Sequence, residues 1–296
     1  MYIGGSMNGI LIIDKPKDIT SRDVVNKVIK VFNTKKVGHT GTLDPIATGV
    51  LVVCVGTATK LVDELTSNDK EYIATIKLGV STETLDTEGK VLKEEKCIKN
   101  KEEIINALNS FKGTYDQEVP LYSAVRINGK KLYEYAREGI EVELPKREVE
   151  IKNIELVDDI EYQDDKTIFK FKCSVSKGTY IRSLIRDIAD KLNTIGIMTD
   201  LRRIRQGNFK IEDSVKIEDI NKECIINIID ILNYKKVEIT NENRKQIYNG
   251  AIIDNIYNEE EILFIEDNEA IALYKKYVKD ENKLKPYIVF KGGNVI

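Results

Sequence analysis

The sequence is short of the residues that bind metals and of the segments that cross membranes. It holds one histidine, His39, and four cysteines, Cys54, Cys97, Cys173 and Cys224, that stand far apart without a C-x-x-C pair. That spacing fits no zinc framework and no disulfide pattern, so no metal is expected. No apolar run reaches the roughly 20 residues a membrane helix requires, and the N-terminus lacks the features of a secretory signal. These absences predict a cytoplasmic protein with no membrane partner, in a compartment where disulfides are disfavoured. Nucleotide-binding loops are missing as well: no glycine cluster leads into the Lys-Ser or Lys-Thr of a P-loop, and no G-x-G-x-x-G occurs. There is no internal repeat and no low-complexity linker.

What is present is an ordinary globular composition, 42% hydrophobic and 32% charged, over 296 residues. That length predicts one large core with a smaller unit at one end. The net charge of −3 argues against a nucleic-acid partner, but its distribution argues for one. Between Lys166 and Lys210 eleven basic residues face three acids, while from Ile211 to Ile296 seventeen acids outnumber twelve bases. The first stretch reads as a phosphate-binding surplus masked by the second; its bland alternative is a solvated charged face.

Along the chain, Gly9 to Ile13 reads as a strand, and Thr20 or Ser21 caps a helix with apolar residues at 24, 25, 28, 29 and 32. The run Val50 to Val55 fits a strand or a buried helix segment, and Ala58 to Val62 starts a helix. Lys70 to Gly79 alternates as a strand, Ser81 to Lys90 reads as a loop, and Lys101 to Phe111 as a helix. Ile168 to Val175 is a strand, Gly178 a turn, and Ile181 to Leu192 a helix; short apolar pieces after Lys235 predict a small β-rich unit. Met1 to Ser6 reads as an extension before a start at Met7.

The segment Gly38-His39-Thr40-Gly41-Thr42-Leu43-Asp44-Pro45-Ile46-Ala47-Thr48-Gly49 is the most informative. Its glycines open backbone conformations closed to other residues, and Pro45 fixes the torsion after Asp44, so a carboxylate is held on a shaped loop. A tight turn in which Asp44 caps a backbone group explains the same pattern. Gly38 to Gly41 also matches the G-x-x-G of a KH module, a spacing too common to weigh much. Between Gly113 and Arg147, Tyr115, Tyr122, Tyr133 and Tyr135 alternate with Arg126, Lys130, Lys131, Arg137, Lys146 and Arg147, an arrangement able to stack on bases and hold phosphates.

Gly38 to Pro45 with Ala47-Thr48-Gly49 resembles the signature of the TruB family of tRNA pseudouridine synthases. Leu11 to Pro16, Lys70-Glu71-Tyr72, Val119-Pro120 through Glu134-Tyr135-Ala136-Arg137, Ser176 to Arg182 and Leu201-Arg202-Arg203 resemble its other segments in the same order. The resemblance implies an α+β pseudouridine synthase fold with a mixed sheet over residues 7–234, an RNA-gripping insertion at 113–147, and a PUA-like β-rich RNA-binding domain at 235–296. It implies isomerisation of uridine 55 in the tRNA T-loop by base flipping, without cofactor or metal, by a monomer needing no protein partner. Asp44 would be the attacking carboxylate, Tyr72 the residue stacking on the base, and Arg182 the bidentate partner of Asp44. Attack at C6, attack at C1′ and elimination all fit this assignment. His39, Tyr180, Leu201 and Lys15 would bind substrate. For Tyr72 the alternative is half-buried core, for Arg182 a phosphate or surface contact, for Leu201 simple packing, and for Lys15 a structural contact to the Asp44 loop. The rival functions are a guide-RNA-dependent synthase subunit, which needs partner proteins, and a non-catalytic tRNA-binding or folding protein.

Overall fold

The computed structural model describes residues 8–67 and 69–291, so the extension at Met1 to Ser6 lies outside the described residues. The chain builds an α+β fold around a ten-stranded mixed sheet. Along its main path the strands are Val215–Lys216, Gly9–Lys15, Thr48–Val55, Gly196–Gln206, Lys70–Leu78, Lys166–Val175, Lys146–Gln163 and Gly113–Glu118. Strand Val37–His39 adds to Thr48–Val55, and Phe209–Lys210 to Gly196–Gln206. Two of the pairings are parallel, Ile13 with Val215 and Arg202 with Thr48, and the others are antiparallel.

Period-two alternation explains how this sheet is covered on both faces. Leu11, Ile13, Leu51, Val53 and Val55 join a core with helices Ser21–Phe32 and Ile181–Lys191. Their neighbours Ile10, Ile12, Val50, Val52 and Cys54 turn the other way and pack with Leu263, Leu273, Ile288 and Phe290 from the C-terminal part. The uninterrupted run Val50 to Val55 is therefore a strand buried on two sides. Helix Ser21–Phe32 begins at a capping box, in which Thr20 Oγ1 accepts from the Asp23 amide at 3.1 Å and Asp23 Oδ2 from the Thr20 amide at 2.9 Å.

The C-terminal part is a five-stranded sheet of Lys235–Glu238, Glu261–Glu266, Glu269–Tyr277, Asp280–Val289 and Ile253–Asp254, in that spatial order. Asp267 and Asn268, both at positive φ, make the two-residue turn that joins its central hairpin. Since this sheet covers the back of the large one, strands Gly9–Lys15 and Thr48–Val55 depend on the last three strands of the chain for burial.

Candidate active site

The loop carrying Asp44 is fixed from several directions. Ser21, the first residue of its helix, accepts from the Leu43 amide at 2.9 Å and donates to the Leu43 carbonyl at 3.2 Å. On the other side of Asp44, the Pro45 carbonyl accepts from the Asp18 amide at 2.9 Å and from Lys15 Nζ at 3.2 Å. Gly49, at φ +101°, lets Thr48–Val55 run against Gly196–Gln206: a Cβ there would lie 2.2 Å from the Arg203 carbonyl oxygen. Gly38 does not take a positive φ; it lies in strand Val37–His39, so the freedom expected of it belongs to Gly41 and Gly49.

Asp44 meets Arg182 across this loop. Arg182 Nε donates to Asp44 Oδ2 at 2.9 Å and Nη2 to Oδ1 at 3.2 Å, a side-on bidentate pair. Two of the three remaining guanidinium protons go to the carbonyls of Thr84 at 2.9 Å and Tyr122 at 3.1 Å. Arg182 is buried, whereas the Asp44 side chain is 32% exposed, so the carboxylate is the accessible member of the pair. Arg182 stands in the first turn of helix Ile181–Lys191, whose period places Leu184, Ile185 and Ile188 in the core. Tyr180 caps that helix, its amide donating to Gln117 Oε1 at 2.8 Å.

Asp44, Tyr72, Tyr180, Arg182 and Leu201 line one cavity of about 480 Å³. Tyr72 gets there by the alternation of Lys70–Leu78, which buries every second side chain, in register with Arg203 and Cys173. Burial raises its phenol pKa against the opposing pull of Arg203, so the ring enters the site neutral. Leu201 is buried in the wall. His39 lies on the adjoining strand and outside the cavity lining; its Nδ1 accepts from the Gly41 amide at 3.3 Å. Burial first, then Arg203 and Arg22, lower its pKa, which keeps the imidazole neutral at pH 7.

Lys15 is fully buried and does not line the cavity. Its ammonium donates to the carbonyls of Pro16 at 2.9 Å, Ile19 at 2.7 Å and Pro45 at 3.2 Å, the structural contact to the Asp44 loop. Lys15→Met is expected to lower stability by on the order of 2 kcal/mol, because three carbonyls lose a charged donor. Burial pushes the Lys15 pKa down from 10.5 to about 8. The unfolded chain therefore binds more protons between those values, and the wild type should gain stability over the variant as pH rises from about 8 to 10.5. Denaturant titrations of both chains at pH 7 and pH 10 measure this; an equal gap at the two pH values rules it out.

Three site groups were given no role by the sequence, although two of them lie in segments that carry the family resemblance. Asp86, within the segment Ser81 to Lys90, is buried, and its Oδ2 lies 3.9 Å from Arg182 Nε. That segment is not all loop: Val80–Thr82 pairs with Val91–Glu94, and Leu85 at φ +64° turns the chain so that Asp86 faces inward. Arg203 is 1% exposed and donates to the carbonyls of Val50 at 2.6 Å and Gly41 at 3.1 Å. The third is Lys70, which lines the cavity, donates to the Thr66 carbonyl at 3.0 Å and has its pKa lowered by burial to about 8. The lysine and tyrosine of Lys70-Glu71-Tyr72 share a strand face, and period two alone carried that signal.

The phosphate-binding surplus read between Lys166 and Lys210 is largely neutralised by folding. Lys166, Lys170, Lys172, Arg182, Arg186, Arg202 and Arg205 pair with Glu94, Asp158, Glu71, Asp44, Glu118 and Asp14 from other parts of the chain. A window of sequence counts its own acids and misses those that fold onto it. In the 113–147 segment, by contrast, Lys131 and Arg137 lie over the Tyr133 ring and Lys130 over Tyr135, while Tyr122, Ser123, Ala124 and Tyr133 line the cavity. Among the described residues no cluster of His, Cys, Asp and Glu could hold a metal, and no helix is long and apolar enough to cross a membrane.

The chain matches two family models, the N-terminal domain of TruB family pseudouridylate synthases over residues 29–181 and the tRNA pseudouridylate synthase B C-terminal domain over 182–228. It is 44% identical over 282 residues to tRNA pseudouridine synthase B of Clostridium tetani, covering 91% of this chain and 96% of that protein. The namesake from Clostridium perfringens strain 13 is 46% identical over 277 residues, 91% of this chain and 92% of the relative. Among solved structures, a chain of a Cbf5-Nop10-Gar1 complex superposes with a TM-score of 0.69 at 25% identity, covering 96% of this chain and 85% of that one. A chain of an H/ACA RNP bound to a substrate RNA containing 2′-deoxyuridine gives a TM-score of 0.68 at 25% identity, over 95% and 84% of the two chains. The chain belongs to the TruB family of pseudouridylate synthases.

Proposed function

We propose that this protein isomerises uridine 55 in the T-loop of tRNA to pseudouridine, with Asp44 as the reacting carboxylate. The observation that carries this reading is the accessible Asp44 carboxylate, gripped by the buried fork of Arg182 in a cavity that Tyr72 also lines. The N1–C1′ bond breaks, the uracil turns, and C5 bonds to C1′; C5 gives its proton to solvent and N1 takes one up, so composition and oxidation state are unchanged. No cofactor enters this balance. The base must leave its stack, at a cost of a few kcal/mol that stacking on Tyr72 and backbone contacts offset.

Tyr180 and Leu201 shape the wall against the base, and His39, neutral and at the end of strand Val37–His39, contacts the RNA rather than moving protons. Lys15 acts on substrate only through the loop it clamps. The tyrosines and cations of 113–147 grip the T-arm, residues 7–234 form the catalytic unit, and 235–296 a PUA-like RNA-binding unit. The enzyme works as a cytoplasmic monomer. Relatives named tRNA pseudouridine synthase B at 44–46% identity, against 25% for the Cbf5 chain, favour a stand-alone enzyme over a guide-dependent subunit.

The test is tritium release from tRNA carrying 5-tritiated uridine, with the purified chain alone. Release of one tritium per tRNA, absent when position 55 is changed to cytidine, supports the reading. No release from the folded chain removes it, and release only on addition of guide RNA and partner proteins transfers it to the rival.

A further inference from the structure

The wall of the cavity formed by Thr66 and Lys70 rests on a helix too short to hold itself. Helix Val62–Thr66 has five residues, far below the length at which a helix persists alone, so tertiary contacts must fix it. On its inner side the Leu65 carbonyl accepts from Gln206 Nε2 at 3.2 Å, and the Thr66 carbonyl from Lys70 Nζ at 3.0 Å. On its outer side Glu64 reaches the C-terminal part. Its carboxylate accepts from the phenol of Tyr287 at 2.9 Å, the phenol of Tyr234 at 3.2 Å and Lys275 Nζ at 3.4 Å. Lys275 also lies 4.1 Å from the Tyr287 ring centre, and Lys60, just before the helix, donates to the Val289 carbonyl.

Burial alone would raise the Glu64 pKa, but the Tyr287 phenol and the Lys275 ammonium outweigh it and hold the carboxyl below the usual range. One charged side chain thus gathers two donors, Lys275 and Tyr287, from a sheet that does not touch the cavity and a third, Tyr234, from the residue just before that sheet, and does so from the helix whose last residue lines the cavity. No other part of the proposed mechanism uses this cluster.

We propose that Glu64 is a positioning residue, tying helix Val62–Thr66 to the C-terminal sheet so that Thr66 and Lys70 are held where the target nucleotide enters. This deepens the proposed function and rests on it. The C-terminal sheet then serves the reaction mechanically, through one carboxylate, as well as by covering the back of the large sheet. Because the two sheets share a hydrophobic cluster, the test uses the full chain and point variants.

Glu64→Ala is expected to lower kcat for tritium release about five- to tenfold, the scale of a modest misplacement in a site, with tRNA Kd within twofold. The variant Tyr234→Phe/Tyr287→Phe, which leaves Glu64 in place and removes two of its donors, should reproduce most of that loss, and also bears the test should Glu64→Ala fold poorly. Combining it with Glu64→Ala should add nothing further. Glu64→Gln, which keeps an oxygen for the phenols, should restore at least half of the lost turnover. A second readout is the pH dependence of Lys70 acylation by acetic anhydride, followed by mass spectrometry. Its midpoint, about 8 in the wild type, should move up towards the ordinary lysine value in Glu64→Ala as the helix loosens. An unmoved midpoint, losses that multiply in the combined variant, or a fall in tRNA affinity equal to that in turnover overturns the proposal. A wild-type chain that releases no tritium defeats the pseudouridine reading instead, and the acylation midpoint still decides the tie.

Discussion

Asp44→Asn is expected to lower tritium release at least about 10⁴-fold, the loss typical when a covalent nucleophile is removed, while tRNA Kd changes less than about threefold. The substitution keeps the side chain's size and shape, so the cavity of about 480 Å³ and its other walls persist. What it removes is the negative charge and the second oxygen that meet Arg182 at 2.9 and 3.2 Å. An amide is a poor nucleophile, and its NH₂ group faces the guanidinium as one donor against another. Binding should survive because affinity for a folded RNA is distributed over many backbone contacts, of which this carboxylate is not one. Single-turnover tritium release and filter binding, with a melting curve to certify folding, make the comparison. Turnover within tenfold of wild type would remove Asp44 from the chemistry; equal losses of turnover and binding would recast it as an RNA contact.

The Asp44 loop was the part of the site most legible in the sequence, because its constraint is local: glycines, a proline and a carboxylate within twelve residues. The alternations in Lys70–Leu78 and Lys166–Val175 were legible for the same reason. Val50 to Val55 could be read as buried but not assigned as a strand, since a strand covered on both faces loses the period that identifies it. Asp86 was hidden because its partner Arg182 lies far away in sequence and no local pattern marks a carboxylate that folds inward. The basic stretch misled in the opposite direction. Arg202, Arg205 and Arg186 are adjacent in sequence to few acids, yet Asp14, Glu71 and Glu118 fold onto them. Lys15 carried both readings, and only the three carbonyls around its ammonium separate a clamp on the loop from a contact to RNA.

Arg182→Lys should be the most damaging change that conserves charge, with kcat lowered about 10²- to 10³-fold, the range seen when one oriented donor is taken from a reacting site. The reason is geometric. Arg182 serves four acceptors at once, both Asp44 oxygens and the carbonyls of Thr84 and Tyr122, from one rigid plane. Those acceptors come from three segments distant in sequence: the Asp44 loop, the segment that carries Asp86, and the segment 113–147. A lysine ammonium is a compact charge on a flexible stem and cannot span that fork. It would reach Asp44 or the two carbonyls, leaving the others buried without a donor, at about 1–3 kcal/mol for each unsatisfied group. Asp86, 3.9 Å from Nε, would then face Asp44 across a site whose positive charge is no longer held in place between them. Asp86→Asn in the Arg182→Lys background should therefore recover part of the lost stability, though not the turnover, since it relieves repulsion without rebuilding the fork. Stopped single-turnover kinetics and thermal melts of the two single variants and the double variant resolve these effects. Turnover by Arg182→Lys within about threefold of wild type would mean that charge alone holds Asp44, and that the four-way fork is packing rather than machinery.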